Sequence, residues 1–356
     1  MKHLAMATIA LLAVMTGFFA FSSLNKINGH TLSDVERYNK WRAEFSKLYA
    51  TPSEASFRMN LVVNKLNQID SWNAEYEAAI KADGLPPLTG PMFAPKMWAD
   101  LTEEEFKKKY AGLNIEGKKS DVIHESLGYE LPAPEANMLG QTGFNPVVRD
   151  QGDCGSCWAF STIATTEAFY YQIKKVHISL SQQELVDCDT QGGNGCEGGW
   201  PTDSYWYIVD NGIQNAASYP YKANRLSCTR DPTKRIWFDD FFTSKEVKFT
   251  ATAALNAYNR GIVGGLAVHS ANKFAYLSGS EDIYDAMKSG ECTASIDHAV
   301  NLFSAGRDAK GRFFVSILNS WSTSWGIGGH KKVYPCGAAS LWGIPSIISY
   351  SSNVAI

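Results

Sequence analysis

The sequence predicts an α+β protein in which a helical N-terminal unit precedes a helix-rich lobe and then a strand-rich lobe. Helical periodicity extends from Leu32 to Phe106, and one strong helix follows Cys157 among many glycine-rich turns. With 356 residues, 45% of them hydrophobic, the chain can bury a substantial core, which excludes a disordered or collagen-like protein. Beyond about Asp240 the predicted strands are Val263 to His269, His298 to Ser304 and Phe313 to Leu318.

The first 22 residues predict a secretory signal peptide. Lys2 and His3 precede an apolar run from Leu4 to Phe21, and Ser22 follows at the expected cleavage site. An uncleaved membrane anchor is the alternative, because a run of 18 residues lies at the lower limit for spanning a bilayer. We expect entry into the secretory pathway, no stable membrane insertion after cleavage, and a lysosomal, vacuolar or extracellular destination.

A helical unit follows at residues 23–130. Three candidate helix starts carry the S/T-x-x-E capping pattern, in which side chains satisfy the first backbone amides of a helix. The polar and then proline-rich stretch from Gly112 to Pro134 predicts a linker. The capping pairs are Ser33 with Glu36, Thr51 with Glu54, and Thr102 with Glu105; the predicted buried faces are Tyr38, Trp41, Phe45 and Leu48 in the first helix and Phe57, Leu61, Ile69, Trp72, Tyr76 and Ile80 in the second.

Cys157 is the candidate nucleophile. The glycine-rich loop from Gln151 runs directly into the strong helix, so Cys157 lies at a helix N-terminus, where the macrodipole and unpaired amides favour the thiolate. The alternatives are a buried, inert cysteine or, with Cys154, a Cys-x-x-Cys redox motif or half a zinc site. No second Cys-x-x-Cys follows and no βαβ pattern surrounds the first, which argues against redox and zinc sites.

A thiolate needs a partner that is both a cation and a proton carrier, and histidine fits that role. His298 opens an apolar run of strand character, and Asn319 ends another, so both would lie on rigid elements. Taken alone, His298 would more often be an ordinary strand histidine and Asn319 only a turn residue.

Together these segments closely resemble the papain-like cysteine peptidases, in particular the cathepsin L-like branch. The family's QGxCGSCWAFS signature is complete from Gln151 to Ser161, and its DHAV and NSW elements follow at Asp297 and Asn319. The resemblance implies a papain-like two-lobe fold behind a helical propeptide. The helical left lobe would span about 141–240 and the antiparallel β-barrel right lobe about 241–356.

The resemblance also implies a cysteine-type endopeptidase made as a secretory zymogen. Cys157 would be the nucleophile, His298 the general acid and base, and Asn319 the residue that orients the imidazole. The Gln151 side chain and the Cys157 amide would bind the oxyanion, and Trp321 would shield the histidine–asparagine hydrogen bond from water. No metal or organic cofactor is implied. The alternative is a catalytically weak homologue that acts as a binding or inhibitory protein.

The substrate cleft can be assigned through the same resemblance. Gly198 and Gly199 would supply backbone for pairing with an extended peptide, and Asp297 and Trp321 would also border the substrate. The main specificity pocket would prefer Leu, Phe or Val, and a leucine at position 341 argues against arginine there. An occluding loop with paired histidines is absent after Trp200-Pro201, which favours an endopeptidase. The pocket residues would be Trp200, Pro201, Leu266, Ile296 and Leu341.

The N-terminal unit is similar to the family's inhibitory propeptide, which would span residues 23–130 and leave a mature enzyme of 131–356. It carries an ERFNIN-like signature and a degraded Gly-x-Asn-x-Phe-x-Asp element, a departure that bears on acid-triggered release. The signature residues are Glu54, Arg58, Ile69 and Asn73, with Val62 and Lys65 as replacements; the degraded element is Ala94, Lys96, Trp98 and Asp100.

Seven cysteines suggest three disulfides and one free thiol. The resemblance assigns Cys154 to Cys196, Cys188 to Cys228 and Cys292 to Cys336, which leaves Cys157 free. The net charge of −3 provides no basic field for nucleic acid. The expected partners are therefore peptide or protein substrates and the chain's own propeptide, with a monomer as the oligomeric state. Ser322, Ile327 and His330 depart from the residues that the family usually has.

Overall fold

A computed structural model describes residues 32–113, 144–238, 244–248, 265–268, 272–292, 296–334 and 347–351, so the expected signal peptide lies outside the described residues. The fold is α+β, as predicted. No helix in these ranges is long and apolar enough to cross a bilayer. The helices are α1 Leu32–Glu44, α2 Pro52–Ala82, α3 Glu103–Tyr110, α4 Cys157–Lys174, α5 Gln182–Cys188 and α6 Pro201–Asn211. The strands are β1 Ile213–Gln214, β2 Arg235–Ile236, β3 Ser244–Lys248, β4 Gly265–Val268, β5 Tyr284–Asp285, β6 His298–Arg307, β7 Phe313–Leu318, β8 His330–Tyr334 and β9 Ile347–Ser351.

The described residues form two compact units, and residues 32–71 and 97–102 belong to the first. Here α2 starts as its capping pattern predicts, because Thr51 Oγ1 accepts a hydrogen bond from the Glu54 amide at 3.2 Å. The Glu54 carboxylate accepts from the amide of Ala50, one residue before the expected donor, at 3.3 Å. α1 begins at Leu32, the first described residue, so the predicted cap at Ser33 stays a prediction.

Two residues of the predicted helical faces are exposed, and those predictions were wrong. Leu48 is 85% exposed because α1 ends at Glu44, before the helical period reaches it. Phe57 is 48% exposed, and its ring lies against the Arg58 guanidinium instead of the core. The buried stripe of α2 within this unit is Met59, Val62, Val63, Leu66 and Ile69.

The second unit contains residues 72–96 and the described residues from 103 onward. Its first lobe is built around α4, which is buried on all sides from Cys157 to Phe169. Small and hydroxyl-bearing residues make this burial possible, because Thr162 and Thr166 return their hydroxyls to carbonyls one turn back, each at 2.8 Å.

Seven strands form the second lobe in the order β3-β9-β4-β6-β7-β8-β5. All neighbours are antiparallel except the β5 and β8 pair. The order is linear among the described strands, with β3 and β5 at its ends. The strand-rich lobe is present as predicted, and its closure into a barrel stays a prediction. Because β6 and β7 are antiparallel and pair Asn301 with Leu318, the first residue of β6 and the residue after β7 lie at the same edge of the sheet.

Candidate active site

Cys157 is the first residue of α4, as the sequence predicted. It is fully buried and is the free cysteine of the described residues. The loop before it is fixed by the disulfide between Cys154 and Cys196. The thiol is therefore held on a rigid helix end, close to amides that lack a partner one turn back.

His298 and Asn319 meet at the sheet edge where β6 begins and β7 ends. His298 Nε2 lies 2.8 Å from Asn319 Oδ1, and both side chains are buried. Because a carboxamide oxygen only accepts, this contact places a proton on Nε2 and leaves Nδ1 as the acceptor of the neutral ring. The indole of Trp321 stacks on the imidazole with ring centroids 4.4 Å apart, which covers the pair with an apolar face.

Gln151 is oriented by contacts on both ends of its side-chain amide. Its Oε1 accepts a hydrogen bond from Ser320 Oγ at 2.6 Å, which directs Nε2 the opposite way. Nε2 donates to the carbonyl of Tyr110 at 3.1 Å and to that of Cys154 at 3.0 Å. The carbonyl of Tyr110 therefore lies where Gln151 can stabilise a carbonyl oxygen.

Residues Tyr110 to Leu113, here named the cleft segment, connect the two sides of the site. The amides of Gly112 and Leu113 both donate to the carbonyl of Asp297 at 3.0 Å. The amide of Gly199 donates to the carbonyl of Gly112 at 2.9 Å. Main-chain hydrogen bonds thus hold the cleft segment to Asp297, the residue before His298, and to Gly199.

Trp200 and Ile296, two of the predicted pocket residues, form one cluster with Leu113 of the cleft segment. Gly199 leaves no room for a side chain, since an added Cβ would lie 2.6 Å from the Gly192 carbonyl oxygen. The remaining predicted positions are Gly198, buried beside Gly199; Pro201, buried at the start of α6; Leu266, paired with Val300 in β4 and β6; and Leu341, outside the described residues.

Burial shifts the charge state of the pair. It raises the pKa of the Cys157 thiol to about 12, against the backbone amides of Ala299, Trp158 and Cys157 itself, which act in the opposite direction. Burial likewise lowers the pKa of the His298 imidazole, and this outweighs the Asn319 contact and the charge of Asp297. In this closed form both groups are therefore neutral near pH 7.

The predicted disulfides Cys154–Cys196 and Cys188–Cys228 are present. Cys292 is also disulfide-bonded, and its predicted partner Cys336 lies outside the described residues. Groups of three or more potential metal ligands do not occur within the described ranges.

Three contacting side chains had no role in the sequence prediction. Ser320 orients Gln151 and is part of the NSW element, so its position could have been noticed. Tyr221 donates to the Gln151 carbonyl at 2.7 Å, but nothing near it in the sequence indicates that contact. Leu113 lies in the predicted linker, and only the folded chain brings it to Trp200.

Comparisons with known proteins agree with this geometry. A family model described as papain family cysteine protease matches residues 140–342. Chymopapain of Carica papaya is 31% identical over 314 residues, 85% of this chain and 82% of chymopapain. Cathepsin L1 of Drosophila melanogaster is 31% identical over 335 residues, 88% of this chain and 85% of the relative.

Two solved precursor structures share the fold. The digestive procathepsin L2 proteinase from the larval midgut of Tenebrio molitor aligns with a TM-score of 0.74 at 23% identity, over 90% of this chain and 100% of that one. The recombinant stem bromelain precursor aligns with a TM-score of 0.71 at 23% identity, over 91% of this chain and 100% of that one. The shared fold thus extends beyond the residues that the family model matches.

Proposed function

Since the chain belongs to the papain family of cysteine proteases, we propose that Cys157 is its nucleophile and His298 its general acid and base. The protein is a cysteine endopeptidase made as a zymogen. The observation that carries the residue roles is the free thiol at the start of α4 together with an imidazole that Asn319 orients. The alternative of a binding or inhibitory protein has no support, because the matching family model describes proteases.

The reaction proceeds through an acyl enzyme in this proposal. The Cys157 thiolate attacks the peptide carbonyl carbon, and the resulting oxyanion accepts hydrogen bonds from Gln151 Nε2 and the Cys157 amide. The imidazolium of His298 gives its proton to the leaving amine, and the C–N bond breaks. The neutral imidazole then takes a proton from water, whose oxygen attacks the thioester and releases the acid. Losing the Gln151 donor would cost about 3 kcal/mol, or ~10²-fold in rate.

We propose residues 23–130 as the propeptide and residues 131–356 as the mature enzyme. Precursor structures with this fold support an intramolecular inhibitor. In this proposal, the Tyr110 carbonyl occupies the oxyanion position, because it accepts from Gln151 Nε2 and, at 3.3 Å, from Trp321 Nε1. Blocking is also electrostatic, since the cleft segment buries the pair that must ionise for attack.

An apolar side chain would fill the main specificity pocket of the mature enzyme. Leu113 supports this, because the propeptide itself presents a leucine to Trp200 and Ile296. We therefore propose a preference for Leu, Phe or Val at the second residue before the scissile bond, with the backbone of Gly198 and Gly199 pairing with the substrate.

Disulfides at Cys154–Cys196 and Cys188–Cys228 fit a protein of the secretory pathway. We propose that residues 1–22 direct the chain there and are removed. The final compartment in this proposal is a lysosome, a vacuole or the extracellular space, and the mature enzyme acts as a monomer on peptide or protein substrates.

The test expresses the chain from Ser23, holds it near pH 4.5 with mild reductant, and follows mass and hydrolysis of fluorogenic Leu-Arg and Arg-Arg peptides. Processing should remove about 11–12 kDa, roughly the span from Ser23 to Leu131. The Leu-Arg peptide should be cleaved faster, and Cys157→Ala should abolish cleavage of both. Processing by added protease without any hydrolysis would contradict the proposed residue roles.

A further inference from the structure

The helix that carries Cys157 starts without the side-chain cap that its sequence offers. Ser156 is the N-cap residue, and a serine at that position usually accepts a hydrogen bond from the second or third amide of the helix. Here the Ser156 side chain makes no capping bond. Its Oγ lies 2.7 Å from Tyr221 Oη and 3.3 Å from the carbonyl oxygen of Cys154.

The direction of these hydrogen bonds follows from the groups that take part. Tyr221 Oη donates its only proton to the carbonyl oxygen of Gln151 at 2.7 Å, since a carbonyl cannot donate. Ser156 is then the donor in both of its hydrogen bonds and shares its one proton between the Tyr221 oxygen and the more distant Cys154 carbonyl, so both contacts turn its Oγ away from the first amides of α4. Two consecutive hydrogen bonds therefore link Ser156 to Tyr221 and Tyr221 to the Gln151 carbonyl. The Tyr221 ring also packs edge-to-face against Phe160 of α4, with ring centroids 4.9 Å apart.

One of the amides that an ordinary cap would engage also acts on the thiol. Trp158 is the second residue of α4, and its backbone N–H favours the ionised form of Cys157, although burial of the thiol is the larger influence on its pKa in the closed form. A serine oxygen bonded to that N–H would compete with the thiolate for it. The charged or titratable groups that face this region are His298, Asp297, Tyr221 and, on the far side of Tyr221, Asp150.

We propose that Tyr221 is a positioning residue of the active site, whose hydroxyl keeps Ser156 from capping α4 and so reserves the first amides of the helix for the Cys157 thiolate. The same hydroxyl fixes the main chain of Gln151 relative to that helix. The inference rests on the proposed roles of Cys157 and Gln151.

The test measures kcat and KM against pH for the processed enzyme obtained from the full chain. In Tyr221→Phe the serine hydroxyl is released to cap α4, so the acid limb of the kcat/KM profile should move upward by about 0.5–1 pH unit. KM should change little, because Tyr221 does not belong to the apolar pocket cluster. A wild-type acid limb in Tyr221→Phe would overturn the inference.

Tyr219→Phe is the matched control, because it deletes a hydroxyl from the same Tyr-Pro-Tyr sequence. Tyr219 donates to Asp187 at 3.0 Å and accepts from the Thr229 amide at 3.1 Å, away from Gln151 and Ser156. Its acid limb should match that of the wild type. An equal upward shift in both variants would mean a general loss of packing and would overturn the inference.

Adding Ser156→Ala to Tyr221→Phe removes the competing hydroxyl and should return the acid limb toward the wild-type value. A limb that stays shifted would overturn the inference. If Tyr221→Phe does not fold, Ser156→Asn takes its place, since asparagine is a strong neutral cap and should shift the limb upward. An unchanged limb in Ser156→Asn would count against the proposal. Absence of hydrolysis by the wild type would overturn the proposed function and this inference together.

Discussion

The proposed propeptide meets the rest of the second unit in two regions that are built differently. In the cleft segment, main-chain hydrogen bonds to Asp297 and Gly199 hold Gly112 and Leu113, and one ring contact joins Tyr110 to Trp321 with centroids 6.1 Å apart. The other region, here named the aromatic anchor, packs Trp72, Tyr76 and Phe93 against Tyr276 and Tyr284, with neighbouring ring centroids 5.8 to 6.0 Å apart.

This difference in construction suggests that one region binds the propeptide and the other blocks the active site. Buried aromatic pairs contribute about 0.5–1.5 kcal/mol each beyond the area that they bury, and in the aromatic anchor three such pairs join Trp72, Tyr76 and Phe93 to Tyr276 and Tyr284. The main-chain bonds of Gly112 and Leu113 are replaced by bonds to water when the cleft segment leaves. We therefore expect the aromatic anchor to hold the propeptide and the cleft segment to block the chemistry.

One measurement follows both regions. Iodoacetamide reacts with Cys157 only after the cleft segment has moved away. The alkylation rate of the intact chain, divided by that of the processed enzyme at the same pH, therefore reports the fraction of open chains. Mass spectrometry of the intact chain separates this reaction from processing.

The largest effect is expected for Trp72→Ala in the aromatic anchor. Trp72 is buried against Phe93 and Tyr276, so its truncation should cost about 3–5 kcal/mol and raise the open fraction on the order of 10²-fold or more. Phe57→Ala truncates an exposed aromatic residue of the same helix and should leave the ratio unchanged. If the two variants open equally, the aromatic anchor does not hold the propeptide.

The next effect is expected for Gly112→Ala in the cleft segment. Gly112 has φ of +157°, and an added Cβ would lie 2.1 Å from the Gly155 carbonyl oxygen. Two main chains approach each other here, so the strain should cost about 1–3 kcal/mol and raise the open fraction about 5- to 150-fold. Gly90→Ala meets no neighbour and serves as the control. Wild-type alkylation of Gly112→Ala would show that the segment does not pass this close to Gly155.

A smaller effect is expected for Leu113→Ala, because Leu113 is only partly buried against Trp200 and Ile296. The lost contact should cost about 1 kcal/mol and raise the open fraction roughly five-fold. Leu113→Met keeps the volume and the apolar character, so it should match the wild type. A stronger effect of Leu113→Ala than of Trp72→Ala would reverse the assignment of holding and blocking.

The sequence predicted the elements that carry chemistry better than the contacts between them. The helix at Cys157 and the strands before Asn319 and after Asp297 follow from local periodicity, which the fold preserves. The exposure of Phe57 does not follow from it, because which side of a long helix is buried depends on the surface that it meets. Ser322, where the family usually has glycine, adopts φ of +60°; the departure was visible in the sequence, but its left-handed backbone was not.

Acid should act on the docking contacts more than on the catalytic pair. In the closed form the Cys157 thiol is neutral and so is the His298 imidazole, so the pair has one titratable proton, which is on the thiol. A thiolate and an imidazolium in the open enzyme also hold one. Opening therefore moves a proton from the thiol to the imidazole without taking one up from solvent. At any pH at which the open enzyme carries the ion pair, Cys157 and His298 add no pH dependence to the opening equilibrium.

Asp282 is a docking group whose titration has a definite sign. Its Oδ2 accepts hydrogen bonds from the amide and the hydroxyl of Thr89, both at 2.8 Å. Burial acts to raise the pKa of Asp282, but bonds from Ser280 and Thr89 lower it below its usual 3.8. A lowered pKa in the closed form means stabilisation that is present above about pH 4 and is lost as the pH falls through the closed-form pKa.

The smallest effect is therefore expected for Asp282→Asn, and it should depend on pH. Above about pH 4 the variant loses a charged acceptor at a partly exposed site, so its open fraction should exceed that of the wild type a few-fold. The open fractions of the variant and the wild type should converge at lower pH, because the wild-type carboxylate is then protonated. Asp231→Asn is the control, because Asp231 also has a lowered pKa but accepts its hydrogen bonds from Thr233 and not from Thr89. A constant difference across pH would mean that the Asp282 charge plays no part in docking Thr89.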